Sequence, residues 1–89
     1  MITNVNEPVD VLLAFKGNER HVTPLKVQWN RQVFSITKIG FRHPTRRGQR
    51  MVHIFDVFDG THNLRLEFDA ESLVWTLKAI TDELNTGVN

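Results

Sequence analysis

Hydrophobic and polar side chains alternate with a period of two along most of this 89-residue chain. In the segment 24–30, Leu25, Val27 and Trp29 fall on one side of an extended backbone, and polar residues fall on the other. Such alternation is typical of a strand that is buried on one face. The same pattern predicts strands at residues 9–16, 24–30, 33–41, 51–58, 63–69 and 73–80.

The third predicted strand, 33–41, changes phase partway along. Phe34 and Ile36 share one face of an extended segment, whereas Ile39 and Phe41 share the other. A bulge adds one residue to a strand and turns the following side chains to the opposite face. A bulge near residues 37–38 would therefore restore a single buried face.

The segment 51–69 predicts a hairpin around Asp59-Gly60, a dipeptide suited to turns that need a positive φ. After the turn, Leu64, Leu66 and Phe68 alternate with charged residues, as in a half-buried strand. Before the turn, apolar residues occupy both faces. A strand that is apolar on both faces is typically central in its sheet or covered on its second face.

The last segment, 69–84, fits two structures. Leu73, Leu77 and Leu84 recur at helical spacing, but Leu73, Trp75 and Leu77 also alternate as in a strand. Periodicity therefore leaves open an all-β fold and an α+β fold with a C-terminal helix at about residues 70–84.

Length and composition describe one domain, residues 1–89, with an ordered core at about residues 8–84. The chain is 40% hydrophobic and 24% charged, which is ordinary for a globular protein. It has no cysteine and therefore no thiolate chemistry and no disulfide. No signal peptide is visible and no apolar run is long enough to span a bilayer, so we expect a cytoplasmic protein without membrane contact.

Charge is divided unevenly along the chain. Residues 1–50 carry nine Lys and Arg against three acids, a net charge of +6, and residues 51–89 carry two against seven, a net charge of −5. The asymmetry indicates either a surface that binds anions or a basic strand lying beside an acidic one, where the two fields cancel.

The most basic segment is the predicted loop 42–50, which joins the third and fourth strands. Arginines there can hold phosphate oxygens through paired hydrogen bonds, and four of them on duplex DNA would give a salt slope of about −3.6. Alternatively, the segment is the charged tip of a hairpin, which favours solubility and binds no partner. The candidate anion-binding residues are Arg42, His43, Arg46, Arg47 and Arg50, with Phe41 as a candidate for base stacking.

No enzyme chemistry is indicated by the remaining polar residues. Asp59 is explained by its turn, and Glu67 and Asp69 by the outer face of an alternating strand. No nucleophile, base and orienting residue recur in a known arrangement, and the histidines have no spacing typical of metal ligands. We therefore expect no catalytic residues, no metal and no cofactor.

Four short motifs carry a resemblance: Pro24-x-x-Val27-x-Trp29, Asp59-Gly60, Phe68-Asp69 and Trp75-x-Leu77-x-x-Ile80. Together they resemble a small bacterial all-β domain family of unknown function, although Asn30 stands where the family pattern has glycine. The resemblance implies an antiparallel β domain, sometimes appended to proteins that handle DNA. It also implies that residues 73–80 form a strand after a turn at "DAES".

These observations predict an all-β domain: a five- or six-stranded antiparallel meander, twisted or curled into a partly open small barrel. For function they favour a non-catalytic protein-interaction or structural module. Its partner would be another protein or a second copy of the chain, bound through a strand edge. The alternative is a nucleic-acid-binding accessory module that contacts DNA or RNA phosphates through residues 42–50.

Overall fold

The computed structural model describes residues 2–18 and 21–82, and every regular element among them is a β-strand. Because these residues form no helix, none of them belongs to a helix that could cross a membrane. The strands are β1 (Ile2–Lys16), β2 (His21–Trp29), β3 (Gln32–Ser35), β4 (Lys38–Arg47), β5 (Arg50–Phe58), β6 (His62–Asp69) and β7 (Val74–Asp82).

All seven strands belong to one antiparallel sheet in the order β3-β2-β1-β7-β6-β5-β4. The first strand is long enough to pair with two neighbouring strands. Its residues from Ile2 to Val9 pair with β7, and its residues from Asp10 to Lys16 pair with β2. The sheet is not closed, because no ladder joins the terminal strands β3 and β4.

The terminal strands β3 and β4 are nevertheless joined by only two residues, Ile36 and Thr37. The amide of Ile36 donates a 2.8 Å hydrogen bond to the carbonyl of Leu25 in β2, and the amide of Thr37 donates a 2.8 Å bond to the carbonyl of Phe58 in β5. Two successive amides thus bond to β2 and β5, which lie near opposite ends of the strand order. The sheet must therefore fold over on itself.

Folding brings one face of every part of the sheet against a common core. We call this the inner face and its opposite the outer face. Trp75 lies at one end of the core, stacked on Phe68 at 4.7 Å between ring centroids and tilted against Phe55 at 5.2 Å. The buried residues of the core are Val27, Phe34, Phe55, Val57, Leu64, Leu66, Trp75 and Leu77.

The all-β prediction is confirmed, but with seven strands rather than five or six. The predicted strand 33–41 is two strands, because the chain changes neighbours at residues 36–37. A bulge does occur, but later, between Ile39 and Phe41. The extra residue is Gly40, where a Cβ atom would lie 2.6 Å from the ring of Phe58.

The alternative with a C-terminal helix at about residues 70–84 is wrong over the described residues, since Val74–Asp82 is a strand. The preceding turn has a local cause. The carboxylate of Asp69 accepts hydrogen bonds from the amides of Glu71 and Ser72, and Leu73 has a φ of 63°. This left-handed residue reverses the chain, so that β7 returns beside β6.

The first strand begins earlier than the predicted strand at residues 9–16. Strand β1 begins at Ile2, which pairs with Thr81 in β7, rather than at residue 9. Because Asn6 has a φ of 57° within an irregular stretch of this ladder, the alternation is interrupted there. The predicted end of the core at residue 84 lies outside the described residues.

Burial predicts unequal effects for the two tryptophans. Trp75 is only 6% exposed, so Trp75→Ala should lower the free energy of unfolding by about 3–5 kcal/mol. Trp29 is half-buried, so Trp29→Ala should cost roughly 1–2 kcal/mol, less than half of that. Urea denaturation followed by circular dichroism measures both values. Equal losses would contradict the assignment of Trp75 to the core.

Candidate functional site

The arginine-rich segment is a hairpin rather than a loop. Strands β4 and β5 remain paired up to Arg47 and Arg50, and only Gly48 and Gln49 form the turn. Gly48 has a φ of 63°, the conformation that a two-residue hairpin turn requires and that glycine adopts without strain. The prediction of a loop at 42–50 is wrong because a two-residue turn is sufficient to connect the strands.

Strand alternation separates the four arginines. Arg42 lies opposite the core residue Phe55 and Arg46 lies opposite Met51, so both belong to the inner face. Arg47 and Arg50 lie opposite each other on the outer face. The predicted anion-binding residues therefore do not form a single surface.

The two arginines on the outer face bind carboxylates of the neighbouring strand and turn. Arg47 forms a 2.7 Å ion pair with Glu67, and Arg50 forms a 2.6 Å ion pair with Asp69 and a longer one of 3.8 Å with Glu71. Three carboxylates thus face two guanidinium groups. Surface pairs of this kind contribute little stability each, but they remove the excess positive charge.

These side chains also explain why β5 is apolar on both faces. Val52 is buried although it points away from the core cluster. It lies in a shallow groove beside Arg47, Arg50 and the side chains of β6 and β7. The aliphatic stems of long charged residues can cover apolar surface in this way while their head groups remain in water.

The side chain of Arg42 is half-buried and contacts residues of other strands. Its guanidinium group donates a 3.3 Å hydrogen bond to the carbonyl of Val22 in β2 and lies 5.4 Å from the ring centroid of Phe55. It therefore links β4 to β2, two strands that share no ladder. Contacts of this kind make it a structural residue.

Arg46 is exposed, as are Arg47 and Arg50, but it differs from them in its partners. Within the described part of the chain no carboxylate lies within ion-pair distance of it. His43 is half-buried, with its ring edge-on to Phe41 at 4.7 Å. Phe41 is 44% exposed. Its role in stacking stays a prediction.

The two oppositely charged parts of the sequence lie side by side in the sheet. The ion pairs of Arg47 and Arg50 join the basic part to the acidic part. Within the acidic part, Arg65 binds Asp56 through two hydrogen bonds of 2.9 Å. The hydrogen bonds to that carboxylate raise the pKa of Arg65 above its usual value. Two interpretations of the charge asymmetry were open. The acidic residues around β6 fit the second, in which opposite charges on neighbouring strands cancel each other.

The free edge of β4 is unsuited to pairing with another strand. A two-residue turn closes on a hydrogen-bonded pair, which here is Arg47 and Arg50. The alternate residues Arg42, Pro44 and Arg46 therefore direct their backbone groups away from β5. Pro44 has no N–H to donate there, and a proline is a common device that protects an edge strand.

The free edge of β3 has no such protection. Asn30 and Arg31 both have positive φ, 56° and 65°, which identifies a two-residue turn that closes on Trp29 and Gln32. The amides of Phe34 and Ile36 consequently face β2, as the bond from Ile36 to Leu25 shows. The backbone groups of Val33 and Ser35 face away from β2.

Two exposed apolar side chains lie on the outer face of the part of the sheet that β1, β2 and β3 form. Leu12 is 56% exposed and Val33 is 57% exposed, on strands that flank β2. The sequence pattern did not predict this surface. Strand order determines which edge stays unpaired, and the pattern does not give strand order. The two residues contribute to a mainly apolar groove lined by Asp10, Val11, Leu12, Lys26, Gln28 and Val33.

Asp59, in the turn between β5 and β6, also has structural partners. The carboxylate of Asp59 accepts hydrogen bonds from the amides of Thr61 and His62 and lies 3.2 Å from Nδ1 of His62. Among the described residues, no group of three His, Cys, Asp or Glu side chains is arranged to hold a metal ion.

The two turn carboxylates predict how stability depends on pH. Desolvation raises the pKa of Asp59 and of Asp69, but hydrogen bonds from backbone amides and contacts with His62 or Arg50 outweigh it, so that both pKa values lie below the ordinary one. The unfolded chain therefore takes up protons first, and stability should fall as the pH drops below about 4.

The matched variant is Asp59→Asn/Asp69→Asn, because an asparagine oxygen can still accept the amide hydrogen bonds. We expect this variant to lose less unfolding free energy than the parent protein between about pH 6 and about pH 3 in urea titrations. An unchanged dependence on pH would contradict the assignment.

Comparison with known proteins adds no assignment. The resemblance carried by residues such as Trp29 and Asp59 is therefore neither supported nor opposed, and any function has to be argued from the geometry. No protein-family model, no curated protein and no solved structure matches the chain.

Proposed function

We propose that this domain is a cytoplasmic, non-catalytic protein-interaction module that binds an extended segment of another protein, or of a second copy, along the free edge of β3. The observation that carries the proposal is the difference between the two terminal strands. One edge contains Pro44 and the side chain of Arg42 bonds across to β2, whereas the other presents unprotected backbone groups.

An added strand has both hydrogen bonds and apolar contacts to gain at this edge. Val33 and Ser35 each direct an N–H and a C=O away from β2. On the outer face, the exposed side chain of Val33 lies beside the added strand, and that of Leu12, on β1, lies two strands farther away. Main-chain bonds supply affinity in such complexes, and side-chain contacts supply specificity.

Nucleic-acid binding is the alternative function, and Arg46 is the observation that favours it. This residue is exposed and has no carboxylate partner among the residues that the structure describes. Arg47 and Arg50 would contribute less, since Glu67, Asp69 and Glu71 repel phosphate beside them. Weak contact with a phosphate backbone is therefore the most that this surface supports.

Val33→Pro tests the proposed docking edge. It removes the outward N–H without touching the hydrogen bonds between β2 and β3, so the fold should persist. Peptides selected from a random library on the parent protein should bind about tenfold more weakly to this variant, as should a second copy in a dimer. Arg46→Pro is the matched control at the other edge and should leave binding unchanged.

The measurements are fluorescence anisotropy with selected peptides and light scattering for self-association, after circular dichroism has shown that each variant is folded. If no peptide is enriched and the protein stays monomeric, or if Val33→Pro and Arg46→Pro behave alike, the β3 edge is not a docking site.

Salt dependence tests the alternative function. If Arg46 alone contacts phosphate, the slope of log K against log salt should be about −0.9 rather than about −3.6, and Arg46→Ala should abolish binding. The measurement is a titration of labelled single- and double-stranded DNA and RNA. A steep slope that Arg47→Ala/Arg50→Ala reduces would show instead that the ion-paired arginines bind nucleic acid.

A further inference from the structure

A polar groove on the outer face of the sheet is a second candidate site. It lies where β6, β7 and the first half of β1 run side by side. Its volume is about 420 Å³, within the range of small-ligand sites. The polar residues that line it are Asn4, Asn6, Asn63, Arg65, Lys78 and Thr81.

Two irregular ladders meet at Lys78 and direct it into the groove. The register between β6 and β7 and the register between β1 and β7 both shift at this residue, which has no partner in either of these fully described ladders. Leu77 and Ile80 both pack in the core, so the two residues between them, Lys78 and Ala79, lie on the outer side and line the groove. Bulges redirect side chains in this way and are common beside functional sites.

A small residue lies at the centre of the groove. Ala79 pairs with Asn4 on one side and with Arg65 on the other, and its methyl group leaves space between these two longer side chains. Asn6 has a φ of 57°, a left-handed conformation that asparagine tolerates better than most residues. The shape of the groove thus follows from the course of the backbone and from Ala79.

The charged groups around the groove differ in their partners. Arg65 donates Nε and Nη2 to Asp56, which fixes the guanidinium plane and leaves Nη1 available. Glu67, the next outward residue of β6, is paired with Arg47 at 2.7 Å. In the part of the chain that the structure describes, no carboxylate lies within ion-pair distance of Lys78. Its ammonium group is therefore available to an anionic ligand.

The neutral groups of the groove suit a ligand with hydroxyl groups. A carboxamide or a hydroxyl side chain can both donate and accept hydrogen bonds, and three asparagines and Thr81 line the groove. None of the described lining residues has an aromatic ring on which a planar base could stack. The chemistry that fits is a sugar or another polyol that carries an anionic group.

We propose that this groove binds a polyol with one oxyanion, either a carboxylate or a phosphate. Lys78 and Nη1 of Arg65 bind the oxyanion, and the carboxamides bind the hydroxyl groups. The site is independent of the docking edge proposed above, because β1, β6 and β7 form the groove, whereas β3 pairs with β2 alone.

Gluconate and glucose 6-phosphate are the probes, with glucose as the neutral control and inorganic phosphate as the anion without a polyol. Binding is followed by the NMR signals of the Asn63 carboxamide and the Ala79 backbone amide, and the indole signal of Trp29, on the inner face, is the reference. Both anionic sugars should shift the groove signals in a saturable manner, and glucose and phosphate should bind at least about tenfold more weakly. Sodium chloride at matched concentration controls for ionic strength.

Lys78→Gln should weaken binding of both anionic sugars about fivefold. Lys26→Gln removes the same charge from an exposed position on β2 and should leave binding unchanged. Asp56→Asn removes the counter-ion of Arg65 and should tighten binding about threefold, so the site is tested in both directions. Circular dichroism shows first that each variant is folded.

Tighter binding of gluconate assigns the site to carboxylates, and tighter binding of glucose 6-phosphate assigns it to phosphates. The proposal is overturned if neither anionic sugar shifts the groove signals, if glucose or phosphate binds equally well, if Lys78→Gln and Lys26→Gln bind alike, or if Asp56→Asn binds as the parent does. Failure here would leave the result with Val33→Pro unaffected, since that substitution lies on a different surface.

Discussion

Two adjacent amides determine how this sheet is organised. Ile36 donates its hydrogen bond to β2 and Thr37 donates its bond to β5, so the chain leaves one end of the strand order and arrives at the other within a single residue. The inner faces of β2 and β3 must then lie against those of β5, β6 and β7, and one core results. The same crossing leaves β3 only four residues long, with a free edge.

Alternation along the chain predicted most strands, because burial of one face depends on neighbouring residues alone. The phase change between Ile36 and Ile39 was also visible in the sequence, but its cause was not. It marks the point where a strand exchanges one partner for another, and partner choice depends on strand order, which a periodic pattern does not contain. The spacing of Leu73 and Leu77 also fits a helix, but residues 74–82 form a strand. The reason is that the backbone of β6 needs hydrogen-bond partners on the side opposite β5, and β7 supplies them.

The candidate surface was less predictable than the fold. A cluster of arginines in the sequence becomes two pairs on opposite faces once the backbone is extended, and the acidic residues of β6 reach one pair across the sheet. Sequence alone does not show which carboxylates will lie nearby. The β3 edge was equally hidden, since an unprotected edge is recognised only after every other strand has found its neighbours. The proposed docking surface, the β3 edge, follows from that arrangement.

Amide hydrogen exchange of the dilute monomer, followed residue by residue by NMR, tests the central claim most directly. The account predicts slow exchange at Phe34, Ile36 and Thr37, whose amides face other strands, and fast exchange at Val33 and Ser35, whose amides face solvent. Protection of Val33 equal to that of Phe34, or exchange of Thr37 as fast as that of Val33, would contradict it.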